Sequence, residues 1–564
     1  FKSTDGGQSW AQTHEGFLDD LYFSYGYYFG MIHVSPTTSE QVYIYGVPLL
    51  VSADGGKTFS PLDAPNVHAD HHALWINPNN PKHLVNGNDG GINISYDGGE
   101  NWLKANQPPV GQFYSVYADT QEPYHIYGGL QDNGVWEAVH TSRENVRWHQ
   151  TGHNAWTSIM GGDGMQIQVD KRDPNIVYTG YQFGNYFKID RETEKRTFIK
   201  PKHTLGEAPL RFNWQTPILL SPHNNDILYL GSNKLHRSMN KGEEWAAISD
   251  DLTTGGKKGN VPYGTLTAID ESAFSFGTLV VGSDDGQIHL SQDSGASWQR
   301  ISNDLPQDLW VSRVQFSTHN SSRIYATLNG YRWDDFTPYV FVSDDLGATW
   351  RNISSNLPQS PVNVIREDAT DEQLLYLGTD NGLFVSINKG KEWHLFDGGI
   401  PRVAVHDLFI QKHENDLLVG THGRSIYLLE LETVQELPTL FEKDIAIVAP
   451  KKQKHNTRWG QKSRMWAEPY TPSFQFAFFA AQPVDGVWSL ISEKGVLVYE
   501  EPIALSKGLQ HITYTIMMNN DLVKQYNRKH KTDLKPAADG NTYLPKGTYT
   551  VLWNDDPKTT LTIE

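Results

Sequence analysis

The chain of 564 residues carries 65 acidic and 47 basic side chains, and its net charge of -18 argues against a sequence-independent nucleic-acid partner. It has no cysteine, which excludes disulfides, zinc–thiolate sites and cysteine nucleophiles. No stretch of about 18 apolar residues occurs, so the sequence predicts no transmembrane helix.

An eight-residue pattern, Ser-x-Asp-x-Gly-x-x-Trp, recurs along the chain, with Asn in place of Asp or Phe in place of Trp in some copies. We expect each copy to form the turn of a β-hairpin. The Asp or Asn side chain would accept backbone N–H groups, the Gly would take a positive φ, and the Trp would enter the core. The pattern therefore predicts architecture and says little about activity. The seven copies begin at Ser3, Ser52, Ser95, Ser238, Ser291, Ser343 and Ser386.

The segments between these copies are also regular. An alternating strand is followed by a strand ending in Gly and by a strand that leads into the next copy, as in residues 72–95. Such a β-meander is typical of a propeller blade. Units at 125–136 and 176–190 lack the full pattern, and a final unit ends near Tyr427. The sequence thus predicts an all-β chain with ten units, the first of them incomplete.

Ten units allow two arrangements. In the preferred one, residues 108–430 close a seven-bladed β-propeller, and residues 1–107 are the last blades of a preceding, truncated propeller, because most propellers have about four to eight blades. The alternative is one propeller of about ten blades. Residues 431–450 show no repeat and are predicted to be a linker. Six β-rich segments within 451–564 predict a C-terminal β-sandwich of fibronectin or immunoglobulin type.

The turn after the Gly-ending strand of each unit is a candidate for one mouth of the propeller, where loops build sites. Asp89 and Asp132 occupy equivalent turns of successive units, and Asp163 precedes an inner strand within a glycine-rich segment. We therefore predict that Asp89, Asp132 and Asp163 lie on one face as candidate catalytic carboxylates. The alternative is that they only form turns, since Asp-Gly and Asn-Gly suit tight turns.

Aromatic side chains close to these positions are candidates for ligand binding. The segment 141–156 is long for a connection, and long loops often build sites. It contains His153 and Trp156, and we predict that these two residues, together with Tyr114 and Trp214, bind the ligand.

The segment His68-Ala-Asp-His-His72 contains the densest set of possible metal ligands. Along a strand, His68, Asp70 and His72 would face the same way and could contact one ion. The segment matches no known zinc signature, so a polar or hydrogen-bonded role is the preferred interpretation, and no cofactor is predicted.

Residues 1–430 resemble the large bacterial proteins with sortilin-type propellers built from Asp-box (BNR) repeats, a group often labelled glycosyl hydrolases. A looser resemblance, carried by Asp89-Gly-Gly, is to tandem seven-bladed xyloglucanases. It implies an inverting hydrolase with one catalytic Asp on each propeller, and the second Asp would lie upstream of this chain. The resemblance to sortilin implies instead that a peptide binds in the propeller channel. The segments similar to the first group are Asp70-His-His-Ala-Leu-Trp75, Gly87-Asn-Asp-Gly-Gly91, Gly129-Leu-Gln-Asp-Asn-Gly134, Phe212-Asn-Trp-Gln-Thr-Pro217 and Val419-Gly-Thr-His-Gly-Arg424.

We therefore expect a secreted or cell-envelope protein, in the outer membrane or periplasm of a bacterium, that binds or acts on a polysaccharide or oligosaccharide. As an enzyme it would be an inverting glycoside hydrolase that uses aspartate carboxylates. The alternative is a noncatalytic, sortilin-like scaffold that binds a peptide or protein in an envelope complex.

Overall fold

The computed structural model describes residues 1–564 except 19, 24, 25, 29, 106–108, 144–153, 260, 397, 441–443 and 450–452. Most of the regular structure in the described part is β-strand, as predicted, and the few helices are short. None of the described helices has the length and apolarity needed to cross a membrane.

Residues 31–430 fold into nine successive antiparallel sheets, counted over the described residues, and we number them sheets 1 to 9. In every sheet, strands that are consecutive in sequence lie side by side, which is the strand order of propeller blades. Sheet 1 consists of Met31–Val34, Val42–Tyr45, Leu49–Ser52 and Ser60–Pro61. Sheet 2 consists of His71–Ile76, Leu84–Asn88, Gly91–Ser95 and Leu103–Ala105.

The next four sheets follow without a break in the pattern. Sheet 3 consists of Phe113–Ala118, His125–Leu130, Gly134–Val139 and Thr157–Met160. Sheet 4 consists of Gln168–Val169, Ile176–Tyr181, Asn185–Asp190 and Lys195–Phe198. Sheet 5 consists of Ile218–Leu220, Leu228–Gly231, Leu235–Ser238 and Ala246–Ala247. Sheet 6 consists of Leu266–Glu271, Leu279–Ser283, Ile288–Ser291 and Gln299–Arg300.

The last three sheets include one that is smaller than the others. Sheet 7 consists of Trp310–Phe316, Ile324–Gly330, Asp335–Ser343 and Arg351–Asn352, with the short 3-10 helix Tyr331–Trp333. Sheet 8 consists of Val362–Glu367, Leu375–Thr379, Gly382–Ser386 and His394–Leu395. Sheet 9 has three strands, Val405–Gln411, Asp416–Thr421 and Ile426–Glu430.

Six of the seven copies of the eight-residue pattern form the turn between the third and fourth strands of a sheet, and the copy at Ser3 precedes sheet 1. In sheet 7, Asp345 accepts the backbone N–H of Thr349 at 2.8 Å and the hydroxyl of Ser343 at 2.7 Å. The indole N–H of Trp350 donates to the carbonyl of Ile301, in the segment after sheet 6, at 2.7 Å. The predicted hairpin turn is therefore confirmed, although this indole is half-buried and not fully enclosed. We call these segments the repeat turns.

Sheet 9 packs against sheet 3. The carboxylate of Asp407 accepts the hydroxyl of Ser115 at 3.0 Å and the backbone N–H of Val116 at 3.1 Å. The hydroxyl of Tyr124 donates to Asp416 at 2.7 Å. These hydrogen bonds join the two ends of the run of seven sheets from 113 to 430.

The C-terminal part contains two packed sheets around a core that includes Phe476, Trp488 and Tyr514. Short helices Glu432–Gln435 and Leu437–Leu440 precede them. One sheet contains Ile445–Val448, Ser473–Ala480 and Gly508–Thr515, and the other contains Leu497–Leu505, Val484–Ser492, Gly547–Trp553 and Asp556–Ile563. A small ribbon, Met517–Met518 with Thr542–Tyr543, and the helix Val523–His530 complete the unit.

Two features of this part differ from the sequence expectation. Ile445–Val448 lies in the range predicted as a linker, yet it pairs with Ser473–Ala480. The helix Val523–His530 lies in the range predicted to be a β-sandwich. Its buried side chains, Val523 and Tyr526, are too few to produce a clear helical period in the sequence.

Candidate functional site

Asp89 lies in the turn between the second and third strands of sheet 2. The side chain of Asn88, not that of Asp89, makes this turn, because its carbonyl oxygen accepts the backbone N–H of Gly90 at 3.0 Å. The Asp89 carboxylate instead lies 2.9 Å from Nε2 of His72, and its side chain is 26% exposed. These contacts do not support a purely turn-forming role for Asp89.

Asp132 lies in the corresponding turn of sheet 3 and has a left-handed backbone with φ 60°. Its N–H donates to the carboxylate of Asp163 at 3.0 Å, and its carbonyl lies 2.9 Å from Nε2 of His68. The side-chain amide of Asn133 donates to the carbonyl of Asp89 at 2.9 Å. Two polar contacts thus connect sheets 2 and 3 at this point.

Asp163 belongs to a glycine-rich segment that packs closely on sheet 3. A Cβ on Gly164 would lie 2.0 Å from the carbonyl oxygen of Gly134, and one on Gly129 would lie 2.2 Å from that of Met165. Glycine is therefore required for this backbone contact. The contact holds Asp163, which is 7% exposed, beneath the turn of Asp132.

Burial raises the pKa of Asp163 to about 6, and the negative charges of Asp132, Asp89 and Asp70 add to that effect. Burial also raises the pKa of Asp89, where the charge of Asp132 adds and His72 opposes. The pKa of Asp70 is raised by burial as well. We call Asp70, Asp89, Asp132 and Asp163 the acid cluster.

The acid cluster has little positive charge around it. In the described part of the chain, no lysine or arginine forms an ion pair with any of its four carboxylates. Burial and the neighbouring negative charges disfavour ionisation, so Asp70, Asp89 and Asp163 hold their protons to higher pH than isolated aspartates do. Such a set can supply one protonated and one ionised carboxylate for general acid–base chemistry.

The three candidate metal ligands do not face one way along a strand, so that expectation is wrong. The first strand of sheet 2 begins at His71, and Asp70 has a positive φ of 62° that breaks the alternation. His68 contacts the carbonyl of Asp132 and His72 contacts Asp89, so the two imidazoles have separate partners. Over the residues that the structure describes, no group of three His, Asp or Glu side chains is arranged to hold a metal ion.

Two of the predicted ligand-binding aromatics line a cavity of about 590 Å³. We call it the axial cavity because the first strands of sheets 3, 6, 7, 8 and 9 contribute to its wall. Tyr114 and Trp214 both contribute to its wall. Burial raises the pKa of Tyr114, and the negative charges of Asp163 and Asp132 add to this, so the cavity lies next to the acid cluster.

The two remaining ligand-binding predictions have different outcomes. Trp156 packs against the apolar core between sheets 3 and 9, which includes Phe113 and Leu418, and it is not among the residues that line the axial cavity. His153 lies outside the described residues. The roles predicted for the four side chains stay predictions.

The sequence did not predict several polar and aromatic residues of these sites. The guanidinium of Arg332 lies 4.2 Å from the ring centre of Trp310 and 5.0 Å from that of Tyr331, at the rim of the axial cavity. The run Tyr331-Arg-Trp333, placed between the second and third strands of its sheet, is the signal that could have indicated them. The sequence indicates Asp70 only as a possible metal ligand, whereas the structure places it beside the other three carboxylates.

No family model matches the sequence. Among curated proteins, a xyloglucanase of Paenibacillus sp. is 24% identical over 251 residues, which cover 42% of this chain. The matched part spans 22% of the length of that relative. This similarity does not assign the chain to a family.

Three solved structures that are similar to this chain have low sequence identity to it. YCF48 bound to D1 peptide is 12% identical, with a TM-score of 0.29 and coverage of 70% of this chain and 91% of that one. The extracellular domain of a hybrid two component system of B. thetaiotaomicron is 12% identical, with a TM-score of 0.42 and coverage of 94% and 74%. A GH74 enzyme of Niastella koreensis is 13% identical, with a TM-score of 0.25 and coverage of 87% and 85%.

Proposed function

We propose that this protein is a glycan-active propeller protein that works as an inverting glycoside hydrolase, with the acid cluster as its catalytic centre. The observation that carries the proposal is the convergence of four carboxylates from two sheets, with raised pKa values at Asp70, Asp89 and Asp163. Inverting hydrolysis needs a protonated carboxyl on one side of the glycosidic bond and a carboxylate that activates water on the other.

The environments of the carboxylates suggest different roles. Asp89 combines a raised pKa with a partly exposed side chain, so it can both hold a proton and reach a ligand. We assign it the donation of that proton to the oxygen of the leaving sugar. Asp132, whose carboxylate accepts no hydrogen bond from the described residues, takes the proton from the attacking water as the C–O bond breaks. Asp163 is nearly buried and accepts the N–H of Asp132, so it is a positioning residue.

A β-glucan such as xyloglucan is the first substrate class to test. The alignment with a xyloglucanase supports this choice, as does the Asp-Gly-Gly sequence at Asp89. Such polysaccharides occur outside the cytoplasm, so the proposal places the protein in the extracellular space or the bacterial envelope. A sortilin-type Asp-box protein of the kind expected from the repeat turns would be compatible with that location.

The proposed site requires two structural units that face each other. We propose that residues 108–430, with sheets 3 to 9, form one closed seven-bladed propeller, and that residues 1–107 belong to a second one. The hydrogen bonds between sheets 9 and 3 support the closure. The contacts of His68 and Asn133 across sheets 2 and 3 support a cleft at the acid cluster.

The test is hydrolysis of xyloglucan, mixed-linkage β-glucan and xylan by the purified protein, followed as new reducing ends. We expect activity on at least one β-linked glycan, with the α-anomer as the first product seen by NMR, because inversion of a β-link yields it. Absence of new reducing ends together with absence of binding to all three glycans would contradict the proposal. A first product with the β-anomer would contradict the inverting mechanism alone.

The second candidate function is a noncatalytic scaffold that binds a peptide or protein. The observation that favours it is the axial cavity, because its amides and aromatic rings could also bind an extended peptide. Capture of a defined peptide at this cavity, with no turnover of any glycan, would support the scaffold and replace the hydrolase.

A further inference from the structure

The axial cavity has a wall chemistry unlike that of the acid cluster. Its volume of about 590 Å³ lies within the roughly 300–1,000 Å³ range of small-molecule sites. Two arginines and two aspartates line it. Arg313 and Asp407 form an ion pair within the wall, because Arg313 donates to Asp407 at 2.8 Å. Asp380 accepts the side-chain amide of Asn363 at 2.8 Å. The charges of the wall therefore balance, which suits a neutral ligand.

Several polar groups of the wall have unused hydrogen-bonding capacity. Over the described residues, the side-chain amides of Gln131 and Gln215 take part in no hydrogen bond, and both line the cavity. Burial lowers the pKa of His406 to about 3 and also lowers that of His422, so both imidazoles are neutral at pH 7. Neutral imidazoles and amides each offer a donor and an acceptor, the combination that sugar hydroxyl groups require.

An aromatic surface borders these groups. The ring of Trp214 is held edge-on to Phe183 with ring centres 5.1 Å apart, and Trp214 is 37% exposed. Tyr331 is 47% exposed at the rim. Rings with an apolar face and a polar edge suit the alternating C–H and O–H surface of a pyranose.

We propose that the axial cavity is a binding site for a neutral pyranose unit of the glycan, separate from the acid cluster. This inference rests on the proposed function and adds the position and charge class of the bound sugar. Tyr114 forms part of the wall of the cavity and lies within electrostatic reach of Asp163 and Asp132. A glycan with one unit in the cavity therefore passes beside the carboxylates, and the cavity fixes which link is presented to them.

The test is calorimetric titration of the full chain carrying Asp89→Asn, which keeps the ligand intact, with cellotetraose and a xyloglucan heptasaccharide. Trp214→Ala in this background is expected to weaken binding at least tenfold, since the ring provides the stacking face. The matched control is Trp333→Ala. Trp333 is 61% exposed and lies in the 3-10 helix Tyr331–Trp333 at the rim of the cavity, but it does not line the cavity. This control should bind as the parent does.

The double change Gln131→Ala with Gln215→Ala provides a second measurement if Trp214→Ala does not fold, and it should also weaken binding at least tenfold. The inference would be overturned if glycan binding were unchanged in this double variant or in Trp214→Ala but lost in Asp132→Ala. That result would leave the proposed hydrolase function standing. Tighter binding of a uronic-acid oligosaccharide than of its neutral counterpart would overturn the neutral class. No binding of any glycan to the parent would remove both the inference and the proposed function.

Discussion

Two sets of aspartates in this chain have opposite environments, and sheet 2 contains one of each. Asp97 in a repeat turn accepts the backbone N–H and the side-chain amide of Asn101 at 2.9 and 2.8 Å, and these hydrogen bonds lower its pKa to about 2. Asp89 lies before the strand Gly91–Ser95 that Asp97 follows, and its pKa is raised because it is partly buried near Asp132. The residue type alone therefore does not reveal the role of an aspartate. A structural aspartate accepts hydrogen bonds from nearby N–H and O–H donors, whereas a candidate catalytic aspartate has few such donors.

The largest effect that the comparison predicts concerns turnover. Asp89→Asn removes the proton donor and should lower kcat on a cleaved glycan by about 10²–10⁴-fold, while leaving the turn intact because Asn88 makes it. The measurement is the rate of reducing-end release together with the melting midpoint.

Asp97→Asn is the matched control in the same sheet. Repeat turns of this chain already use Asn at this position, at Asn240 and Asn388, which accept the same backbone N–H at 2.9 Å. We therefore expect unchanged turnover in this variant. Equal turnover in the two variants would show that the acid cluster is not the catalytic centre.

The second effect concerns stability and the repeat turns. Trp393 is 2% exposed, and its indole N–H donates to the carbonyl of Ile353 at 2.7 Å. Trp393→Ala should therefore lower the free energy of unfolding by about 3–5 kcal/mol, as measured by denaturant titration. Trp298→Ala should cost less, because Trp298 is half-buried. An equal loss in both variants would show that burial does not set the contribution of these rings.

How much the sequence could predict follows from the range of the interactions. In a repeat turn, Ser52, Asp54 and Thr58 satisfy one another within a few residues, so the pattern alone predicts the geometry. The equivalence of their turns also predicts that Asp89 and Asp132 lie on one face, and Asn133, next to Asp132, donates to the carbonyl of Asp89. Their partners could not be predicted, because His68 reaches Asp132 through the packing of two sheets.

The smaller elements that the sequence missed have similar causes. Arg332 lies over Trp310 because a 3-10 turn folds back on the first strand of its own sheet, a contact that no local period encodes. Over the described residues sheet 9 has three strands, whereas the other eight sheets of residues 31–430 have four. Val434 and Leu437, in the helical segment after sheet 9, join the core shared by sheets 8 and 9 and the C-terminal unit.

The third effect is the pH dependence of stability. The pKa of Asp163 is raised in the folded state from 3.8 to about 6, so between these values the folded protein binds more protons than the unfolded chain does. The contribution of Asp163 to stability should therefore fall as pH rises from about 4 to about 6, while buried histidines such as His406 contribute the opposite trend. Asp163→Asn should reduce that fall, as seen in unfolding midpoints at intervals across this range.

The repeat turns provide the opposite sign in a different window. The pKa of Asp97 is lowered from 3.8 to about 2, so its contribution is present above pH 4 and is lost as pH falls toward 2. Asp97→Asn should therefore change the slope below pH 4 and leave the slope between pH 4 and 6 unchanged. A change in the same window for both variants would contradict the distinction between the two sets of aspartates.

The smallest effect concerns His72, which lowers the pKa of Asp89 through its charge and its contact at 2.9 Å. If Asp89 must be protonated to act, kcat/KM declines as pH rises through its pKa. His72→Phe removes the lowering influence but keeps a ring beside Tyr28, whose centre lies 5.3 Å away. The declining limb of the pH profile should therefore move to higher pH.

The matched control for this variant is His83→Phe in the same sheet. His83 stacks on Tyr96 with ring centres 4.6 Å apart, and among the described residues it makes no hydrogen bond to the acid cluster. Its pH profile should overlay that of the parent. A declining limb that does not move in His72→Phe would mean that this limb does not report Asp89. In that case another carboxyl of the acid cluster must donate the proton. Asp163, whose pKa is raised to about 6, is then the group to test next. The variant Asp163→Asn would remove the declining limb that His72→Phe left in place.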